Sequence, residues 1–270
     1  MTLMTQKNRH ALVTGASEGI GRVFAKRLAS EGYSLTLVAR NRARLEELKS
    51  ELDQEFTERN HDVIVADLST DTGVALVTQA ITTRHHDLLI NNAGYGLYGE
   101  FAETPIEQLQ LMTRLNCDAL TVLSHHYLKT ARKGDALMNV GSVYSFLPAP
   151  YNAVYGATKA YVLSLSEALW YEQSKHGVFV MALCPGYTLT TFSARAGRAD
   201  NPAYARLAQT PEQVVETALA HLKRRSSPAI VSGLSNSALK HFQKLLPSSL
   251  RARLSGAMLE RFLELKQKSS

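Results

Sequence analysis

The sequence predicts an α/β fold, a doubly wound parallel sheet of about seven strands with helices on both faces. We expect a single domain over residues 8–235 and a C-terminal helical extension over residues 236–270. Short apolar runs alternate with amphipathic helical patterns, which is the order typical of a parallel sheet covered by helices. A glycine-rich turn joins the first predicted strand to the first predicted helix, and no repeat or low-complexity linker divides the chain.

The strand candidates are short, near-continuous runs of Val, Leu and Ile, as expected for strands covered on both faces. They are "HALVT" from His10, "SLTLVA" from Ser34, "DVIVA" from Asp62, "DLLIN" from Asp87, "ALMNVG" from Ala136, "VFVMALC" from Val178 and "AIVSG" from Ala229.

The segments between these strands have helical periodicity. Two of them begin with a capping box, Thr104–Glu107 and Thr210–Gln213, and each has proline at the first helical position. The stretch Tyr187–Gln209 has the weakest periodicity and many small residues, so we predict a mobile loop there.

Composition limits the class of protein. A chain of 270 residues that is 45% hydrophobic can bury one sizeable core. Its first ten residues are polar, and no apolar stretch approaches the roughly 20 residues of a membrane span. Cys117 and Cys184 lie far apart and match no metal-ligand spacing, so we expect buried thiols, no bound metal and a cytoplasmic location.

The basic charge is concentrated in the C-terminal extension. The net charge is +6, from 30 basic and 24 acidic residues. The residues from Leu234 to Ser270 include seven basic and two acidic residues and so carry +5 of it. The rest of the chain is nearly neutral, which argues against a nucleic-acid-binding surface.

The glycine-rich turn has Gly15, Gly19 and Gly21 in the spacing G-x-x-x-G-x-G. Glycine there permits a tight turn and close approach of a pyrophosphate to the start of a helix. The spacing differs from the G-x-G-x-x-G dinucleotide fingerprint. Taken alone, it leaves nucleotide binding and an ordinary strand-to-helix turn both open.

A tyrosine is followed four residues later by a lysine twice, as Tyr155/Lys159 and Tyr171/Lys175. Residues four apart lie on one face of a helix. An ammonium group near a phenol favours the phenolate, so either pair could form an acid that works near neutral pH. The spacing alone does not choose between the two pairs.

The glycine spacing resembles the T-G-x-x-x-G-x-G signature of the short-chain dehydrogenase/reductase family, and other motifs of that family follow in order. They are "NNAG" from Asn91, Asn116, Ser142, Tyr155, Lys159 and "PGYTLT" from Pro185. The resemblance covers about residues 8–235. It implies a Rossmann-type domain that transfers a hydride between a nicotinamide and a carbonyl or alcohol carbon.

The resemblance also separates the two tyrosine pairs. In the family pattern a serine lies 13 residues before the active tyrosine. Ser142 holds that position relative to Tyr155, at the end of a predicted strand. The corresponding position for Tyr171 is Thr158, which lies within the same helix. We therefore predict that Tyr155 is catalytic and that Tyr171 is a surface residue.

The family implies a role for each residue of the predicted catalytic set. Tyr155 is the general acid or base, and Lys159 lowers its pKa together with the oxidised nicotinamide and binds the nicotinamide ribose. Ser142 holds the substrate oxygen. Asn116 holds a water that connects Lys159 to solvent.

The cofactor prediction is NADP(H). Arg40 ends the second strand, where an arginine accommodates a 2′-phosphate and an acidic residue would select NAD. Glu18 counts against this, because NADP-preferring relatives often have a basic residue there. The cofactor-binding residues implied are Gly15, Ser17, Gly19, Ile20, Gly21, Arg40, Asp67, Asn92, Ala93, Gly94, Tyr155, Lys159, Pro185, Gly186, Thr188 and Thr190.

The residues predicted to border the substrate pocket are apolar or aromatic, which favours a hydrophobic ketone, ketoacyl or steroid-like substrate. They are Tyr95, Leu97, Phe146, Leu147, Tyr151, Tyr187 and Phe192. The alternatives are an NAD-linked alcohol dehydrogenase and a non-catalytic dinucleotide-binding regulator. The complete catalytic set argues against the regulator. We expect a homodimer or homotetramer.

The extension has apolar residues at spacings of three and four on both sides of Pro247, which predicts two amphipathic helices. The apolar residues are Leu239, Phe242, Leu245, Leu246, Leu250, Leu254, Ala257, Met258, Phe262 and Leu265. The extension resembles that of long-chain ketoacyl and hydroxysteroid reductases. Its helices can pack on their own domain near the substrate mouth, join subunits or lie on an anionic membrane. Packing within the protein or its oligomer is favoured.

Overall fold

The protein forms a seven-stranded parallel sheet in a computed structural model that describes residues 9–192, 196, 208–233, 236–237 and 246–267. The strand order is β3-β2-β1-β4-β5-β6-β7. The strands are β1 Arg9–Thr14, β2 Tyr33–Ala39, β3 His61–Val65, β4 Leu88–Asn91, β5 Ala136–Val140, β6 Phe179–Cys184 and β7 Ala229–Val231. Each begins within one residue of its predicted position, which confirms the predicted fold class.

Eight helices are seen in the described residues. They are α1 Gly19–Ser30, α2 Arg42–Glu55, α3 Asp71–Thr83, α4 Ile106–Thr113, α5 Leu120–Thr130, α6 Ala153–Ser174, α7 Pro211–Arg224 and α8 Ser248–Gln267. A π-helical segment, Arg114–Ala119, joins α4 to α5, and a 3-10 turn, Val143–Ser145, follows β5. None of the helices in the described part of the chain has the length and apolar character that a membrane crossing needs.

The two faces of the sheet are covered by different helices. Val13 of β1 belongs to an apolar cluster with Phe24 of α1 and Val214 of α7. Its neighbour Leu12 belongs to a second cluster with Leu123 of α5. Because successive side chains of a strand point to opposite faces, the two clusters lie on opposite sides of the sheet. This is the doubly wound arrangement, and it leaves the carboxyl ends of all seven strands at one edge.

One of the two predicted capping boxes forms. The Thr210 hydroxyl accepts a hydrogen bond from the Gln213 amide at 3.3 Å, and the Gln213 side chain accepts one from the Thr210 amide at 3.0 Å. The box predicted at Thr104 is wrong. That hydroxyl donates instead to the Glu100 carbonyl at 2.8 Å, because a 3-10 turn directly precedes it, and α4 begins only at Ile106.

The second predicted tail helix is present as α8, and its packing within the protein or its oligomer stays a prediction. Leu250 and Leu254 are 41% and 44% exposed, whereas Ser255 is buried. A Cβ atom at Gly256 would lie 3.7 Å from the Pro150 ring. Small side chains allow this close approach, and Leu259 of the same helix is also buried, with only 2% of its surface exposed. The first predicted tail helix and most of the predicted loop Tyr187–Gln209 lie outside the described residues.

Candidate active site

A cavity of about 860 Å³ opens at the carboxyl ends of the strands, where ligands bind in open α/β sheets. All of the predicted catalytic and cofactor-binding residues line it except Gly21 and Asn116. The strands bring them together, since β1, β4, β5 and β6 are neighbours in the sheet and each ends beside the cavity.

The glycine turn is held by the residues that follow β4. The Asn92 side-chain amide donates to the carbonyls of Thr14 and Gly15, at 2.9 and 3.3 Å. The Thr14 hydroxyl accepts hydrogen bonds from the amides of Asn92 and Ala93. Gly21 does not reach the cavity. A Cβ atom there would lie 2.2 Å from the Gly15 carbonyl oxygen, so Gly21 lets α1 pack closely beneath the turn.

Ser142, Tyr155 and Lys159 form one buried cluster in the cavity wall. Ser142 is the second residue after β5, following Gly141. Tyr155 and Lys159 lie in the first two turns of α6. Their exposed fractions are only 7%, 7% and 5%. The Lys159 ammonium donates to the Val140 carbonyl at 2.8 Å and lies 5.6 Å from the centre of the Tyr155 ring.

Burial dominates the acid–base properties of this cluster. It raises the pKa of the Tyr155 phenol, and a hydrogen bond with Ser142 opposes the shift without overcoming it. Burial also lowers the pKa of Lys159 to about 8. In the protein alone, desolvation of the phenolate is the largest effect on the pKa of Tyr155. The lowering by Lys159 together with the oxidised nicotinamide stays a prediction.

Asn116 lies in the π-helical segment, behind the cavity wall. Its amide nitrogen donates to the Tyr95 carbonyl at 3.0 Å and to the Thr158 hydroxyl at 3.1 Å, and its oxygen accepts from the Tyr95 amide at 3.2 Å. A Cβ atom at Gly94 would be 3.0 Å from that oxygen and 3.5 Å from the Lys159 ammonium. The contacts seen join Asn116 to the protein, and its water-holding role stays a prediction.

The second tyrosine–lysine pair is separate from the cavity. Tyr171 is 77% exposed near the far end of α6. Thr158, which precedes it by 13 residues, is buried and donates its hydroxyl proton to the Tyr155 carbonyl at 2.7 Å. The surface position predicted for Tyr171 is confirmed.

The segment after β6 forms another side of the cavity, with Pro185, Gly186, Thr188 and Thr190 among the lining residues. Asn236 also lines the cavity and was not predicted. A Cβ atom at Gly186 would lie 2.1 Å from the Asn236 amide nitrogen, so only glycine fits beneath this side chain. Asn236 is the first residue of the predicted extension, and no motif marks it in the sequence.

The substrate end of the cavity is aromatic. Of the predicted border residues, Tyr95, Leu147, Tyr187 and Phe192 line it. The Tyr155 ring packs against Tyr144 and Phe192, with ring centres 6.1 and 5.7 Å apart.

Three of the predicted border residues are not among those that line the cavity. Phe146 packs with the buried cluster around Leu163, and Tyr151 donates its hydroxyl proton to Glu260 of α8 at 2.9 Å. Leu97 packs against the apolar cluster that contains Met112 and Tyr155, so it lies beside the catalytic residues without lining the cavity. Tyr98 and Tyr144 line the cavity although they were not predicted.

Metal-ligating side chains also meet away from this cavity. The ligand atoms of His85, Asp87 and Asp135 lie within 4.8 Å of one another. Asp87 and Asp135 directly precede β4 and β5, so this group lies at the amino ends of the strands. The described residues therefore place no group of metal ligands beside Tyr155.

The arrangement combines a phenol hydroxyl, shielded from water, with a long cavity that starts at a helix N-terminus. Such a site can transfer a proton to or from an oxygen atom held beside Tyr155, next to a large bound cofactor.

The chain is similar to known proteins of one family. The family model for short chain dehydrogenase matches residues 9–201. The chain is 32% identical to a 7beta-hydroxysteroid dehydrogenase of Mediterraneibacter gnavus over 245 residues, which are 89% of this chain and 92% of that protein.

Solved structures agree with this match. A short-chain dehydrogenase from Sphingobium yanoikuyae in complex with NADPH has a TM-score of 0.77 and 32% identity, covering 88% of this chain and 96% of that one. The bulky-bulky ketone specific alcohol dehydrogenase from Comamonas testosteroni has a TM-score of 0.73 and 29% identity, covering 88% and 95%. The chain belongs to the short-chain dehydrogenase family of oxidoreductases.

Proposed function

We propose that the protein is an NADP(H)-dependent oxidoreductase that transfers a hydride between the nicotinamide and the carbonyl or secondary-alcohol carbon of a hydrophobic substrate. The observation that carries this proposal is the cluster of Ser142, Tyr155 and Lys159, buried in the wall of a cavity that also contains the glycine turn and Arg40.

The residues present suit a dinucleotide phosphate. The first turn of α1 contains no acidic residue, and the Glu18 side chain that precedes it makes no capping hydrogen bond to the helix. The first amides of α1 are thus left without a side-chain cap, as a pyrophosphate site requires. Arg40 lines the cavity beyond β2, where its guanidinium would meet a 2′-phosphate. The bound dinucleotide would supply or accept the hydride.

Tyr155 would move the proton. In carbonyl reduction its hydroxyl would donate to the substrate oxygen, and the raised pKa keeps that proton on the phenol until a stronger base is bound. The Ser142 hydroxyl would hold the same oxygen beside Tyr155. Lys159 would keep its positive charge next to the phenol as the proton leaves. Asn116 would fix the backbone of Tyr95 and the side chain of Thr158, which lie beside Lys159.

The cavity favours a bulky, hydrophobic substrate. Arg40 and Lys159 are the only basic residues that line it among those described, and each has a place in the cofactor or catalytic arrangement. This leaves no cation to hold a substrate carboxylate. The relatives support the same class, since one acts on a hydroxysteroid and another on bulky ketones by their names. A steroid-like or ketoacyl ketone is therefore the proposed substrate class.

The extension would shape the substrate mouth. We propose that residues 8–235 form the dinucleotide-binding and catalytic unit and that residues 236–270 form an added wall. Asn236 packs on Gly186, and α8 contacts Pro150 and Tyr151 just before the helix that carries Tyr155. These contacts support packing on the same domain over membrane binding. Buried, free Cys117 and Cys184 support the expected cytoplasmic setting. The homodimer or homotetramer stays a prediction.

A matched pair of variants tests the proposed chemistry. Purified protein is assayed with bulky ketones and either NADPH or NADH, by the absorbance of the reduced nicotinamide. We expect Tyr155→Phe to lower turnover at least about 100-fold and to leave the Kd for NADPH within about twofold. Tyr171→Phe, on the exposed end of the same helix, should leave turnover unchanged. Equal effects of the two substitutions would refute the assignment, and a wild-type preference for NADH would favour the NAD-linked alternative.

A further inference from the structure

Glu18 is the residue that argues against NADP(H) in the sequence, and its contacts change that conclusion. It lines the cavity beside the glycine turn. Its Oε2 atom accepts a hydrogen bond from Arg44 Nη1 at 2.5 Å and another from the Thr191 hydroxyl at 3.0 Å. The carboxylate is therefore partnered by a guanidinium, and its negative charge is compensated.

Arg44 is brought to this position by the start of α2. The helix is capped by Asn41, whose side-chain oxygen accepts from the Arg44 amide at 3.1 Å. Arg40, which directly follows β2, lines the cavity, whereas Arg44 lies in the first turn of the next helix and reaches the cavity wall through its contact with Glu18. The Nη1 atom of Arg40 lies 3.8 Å from Oδ2 of Asp67, and the guanidinium of Arg44 contacts the carboxylate of Glu18.

The guanidinium of Arg44 keeps donors for a second anion. Arginine has five N–H donors in a planar fork, and the contact with Glu18 uses Nη1. The Arg44 side chain is 43% exposed, so a ligand can reach it. A phosphate held between two guanidinium groups would gain charge-assisted hydrogen bonds from both sides.

We propose that Arg44 is a second ligand of the cofactor's 2′-phosphate and that Glu18 is the positioning residue that holds its guanidinium at the site. The pair replaces the single basic residue expected at position 18. This inference rests on the proposed function, because it concerns how the same site selects NADP(H) over NAD(H).

Binding measurements with both cofactors test the role of Arg44. The Kd values of NADPH and NADH are determined by fluorescence titration of the wild type, Arg44→Ala and Arg44→Gln. Loss of a charge-assisted hydrogen bond predicts a roughly 10- to 100-fold weaker Kd for NADPH. The Kd for NADH should stay within about twofold. The control is Arg84→Ala, which removes an arginine that pairs with Asp62 at the amino end of β3, away from the cavity. This substitution should change neither Kd.

The sign of the Glu18→Gln effect tests the positioning role. In the wild-type background this substitution should weaken NADPH binding by roughly three- to tenfold, because Arg44 loses the charge that holds it. In the Arg44→Ala background it should strengthen NADPH binding, because it removes a carboxylate that is no longer compensated. A double-mutant cycle of the two changes gives the coupling directly.

The possible results are distinct. If the wild type binds NADH more tightly than NADPH, the cofactor assignment in the proposed function is wrong. If the wild type prefers NADPH and both Arg44 variants, folded by circular dichroism, keep that preference, only the role of Arg44 is overturned. If Glu18→Gln strengthens NADPH binding in both backgrounds, Glu18 simply repels the phosphate and its positioning role is overturned.

Discussion

Replacing Lys159 with methionine should change how the stability of the protein depends on pH. Burial lowers the pKa of Lys159 from 10.5 to about 8 in the folded protein. An unfolded chain keeps the ordinary lysine value, so between pH 8 and 10.5 the unfolded state binds more protons. The free energy of unfolding of the wild type must then rise with pH across that window. The charged lysine costs most stability below pH 8, and the cost disappears above 10.5.

The size of this effect follows from the shift. About 2.5 pKa units at 1.36 kcal/mol each correspond to about 3 kcal/mol. The Lys159→Met variant cannot titrate, so its free energy of unfolding relative to wild type should be most favourable near neutral pH. It should decline by about 3 kcal/mol towards pH 10.5. The variant also loses the hydrogen bond to the Val140 carbonyl. This loss lowers its free energy of unfolding by the same amount at every pH, so it does not change the pH dependence of the difference from wild type.

Urea unfolding of the cofactor-free protein at a series of pH values measures the difference, with the single tryptophan, Trp170, as the fluorescent probe. A change of about 3 kcal/mol is a large fraction of the stability of a typical domain and is readily detected. Lys175→Met, which removes an exposed lysine after the same helix, controls for the loss of a positive charge. A stability difference between Lys159→Met and wild type that is constant from about pH 7 to 10.5 would refute the reasoning.

Acid should destabilise the protein through its buried histidines, because burial lowers the pKa of His10 to about 4 and of His86 to about 3. The free energy of unfolding that comes from keeping His10 neutral is fully present above pH 6.5 and falls by about 3 kcal/mol as the pH drops to 4. The His10→Gln variant has no group to protonate there, so its free energy of unfolding, measured by urea unfolding, should decline less over this range. An unaltered acid profile would contradict this prediction. The contact of Tyr151 with Glu260 should act on substrate binding, so that Glu260→Gln raises KM for a bulky ketone roughly two- to fivefold without changing kcat. Steady-state kinetics check this, and a fall in kcat at unchanged KM would count against it.

The strands could be predicted because their signals are local, whereas the predicted catalytic residues were identified by the family motifs. A strand buried on both faces is apolar along its whole length, so each run marks its own position. Tyr155 and Lys159 are four apart on one helix, and Ser142 follows the strand next to it. The structure brings these three residues together for that reason.

The remaining features depend on contacts between distant segments. The pairing of Arg44 with Glu18 joins α2 to the glycine turn, and the contact of Asn236 with Gly186 joins the extension to the segment after β6. Neither leaves a pattern in the sequence. The exposure of Leu250 and Leu254 on α8 depends on such contacts as well, because the helix buries Leu259 and lies against Pro150 at Gly256.

The parallel sheet separates two groups of polar residues along its strands. The cavity lies at the carboxyl ends, whereas His10, His86 and Asp135 lie at the amino ends. Strand β5, with five residues, keeps the two edges about 17 Å apart. Substitutions this far apart are expected to have additive free energies. Variants selected for thermal resistance at one edge and for altered substrate range at the other can therefore be found in separate libraries and then combined in one chain.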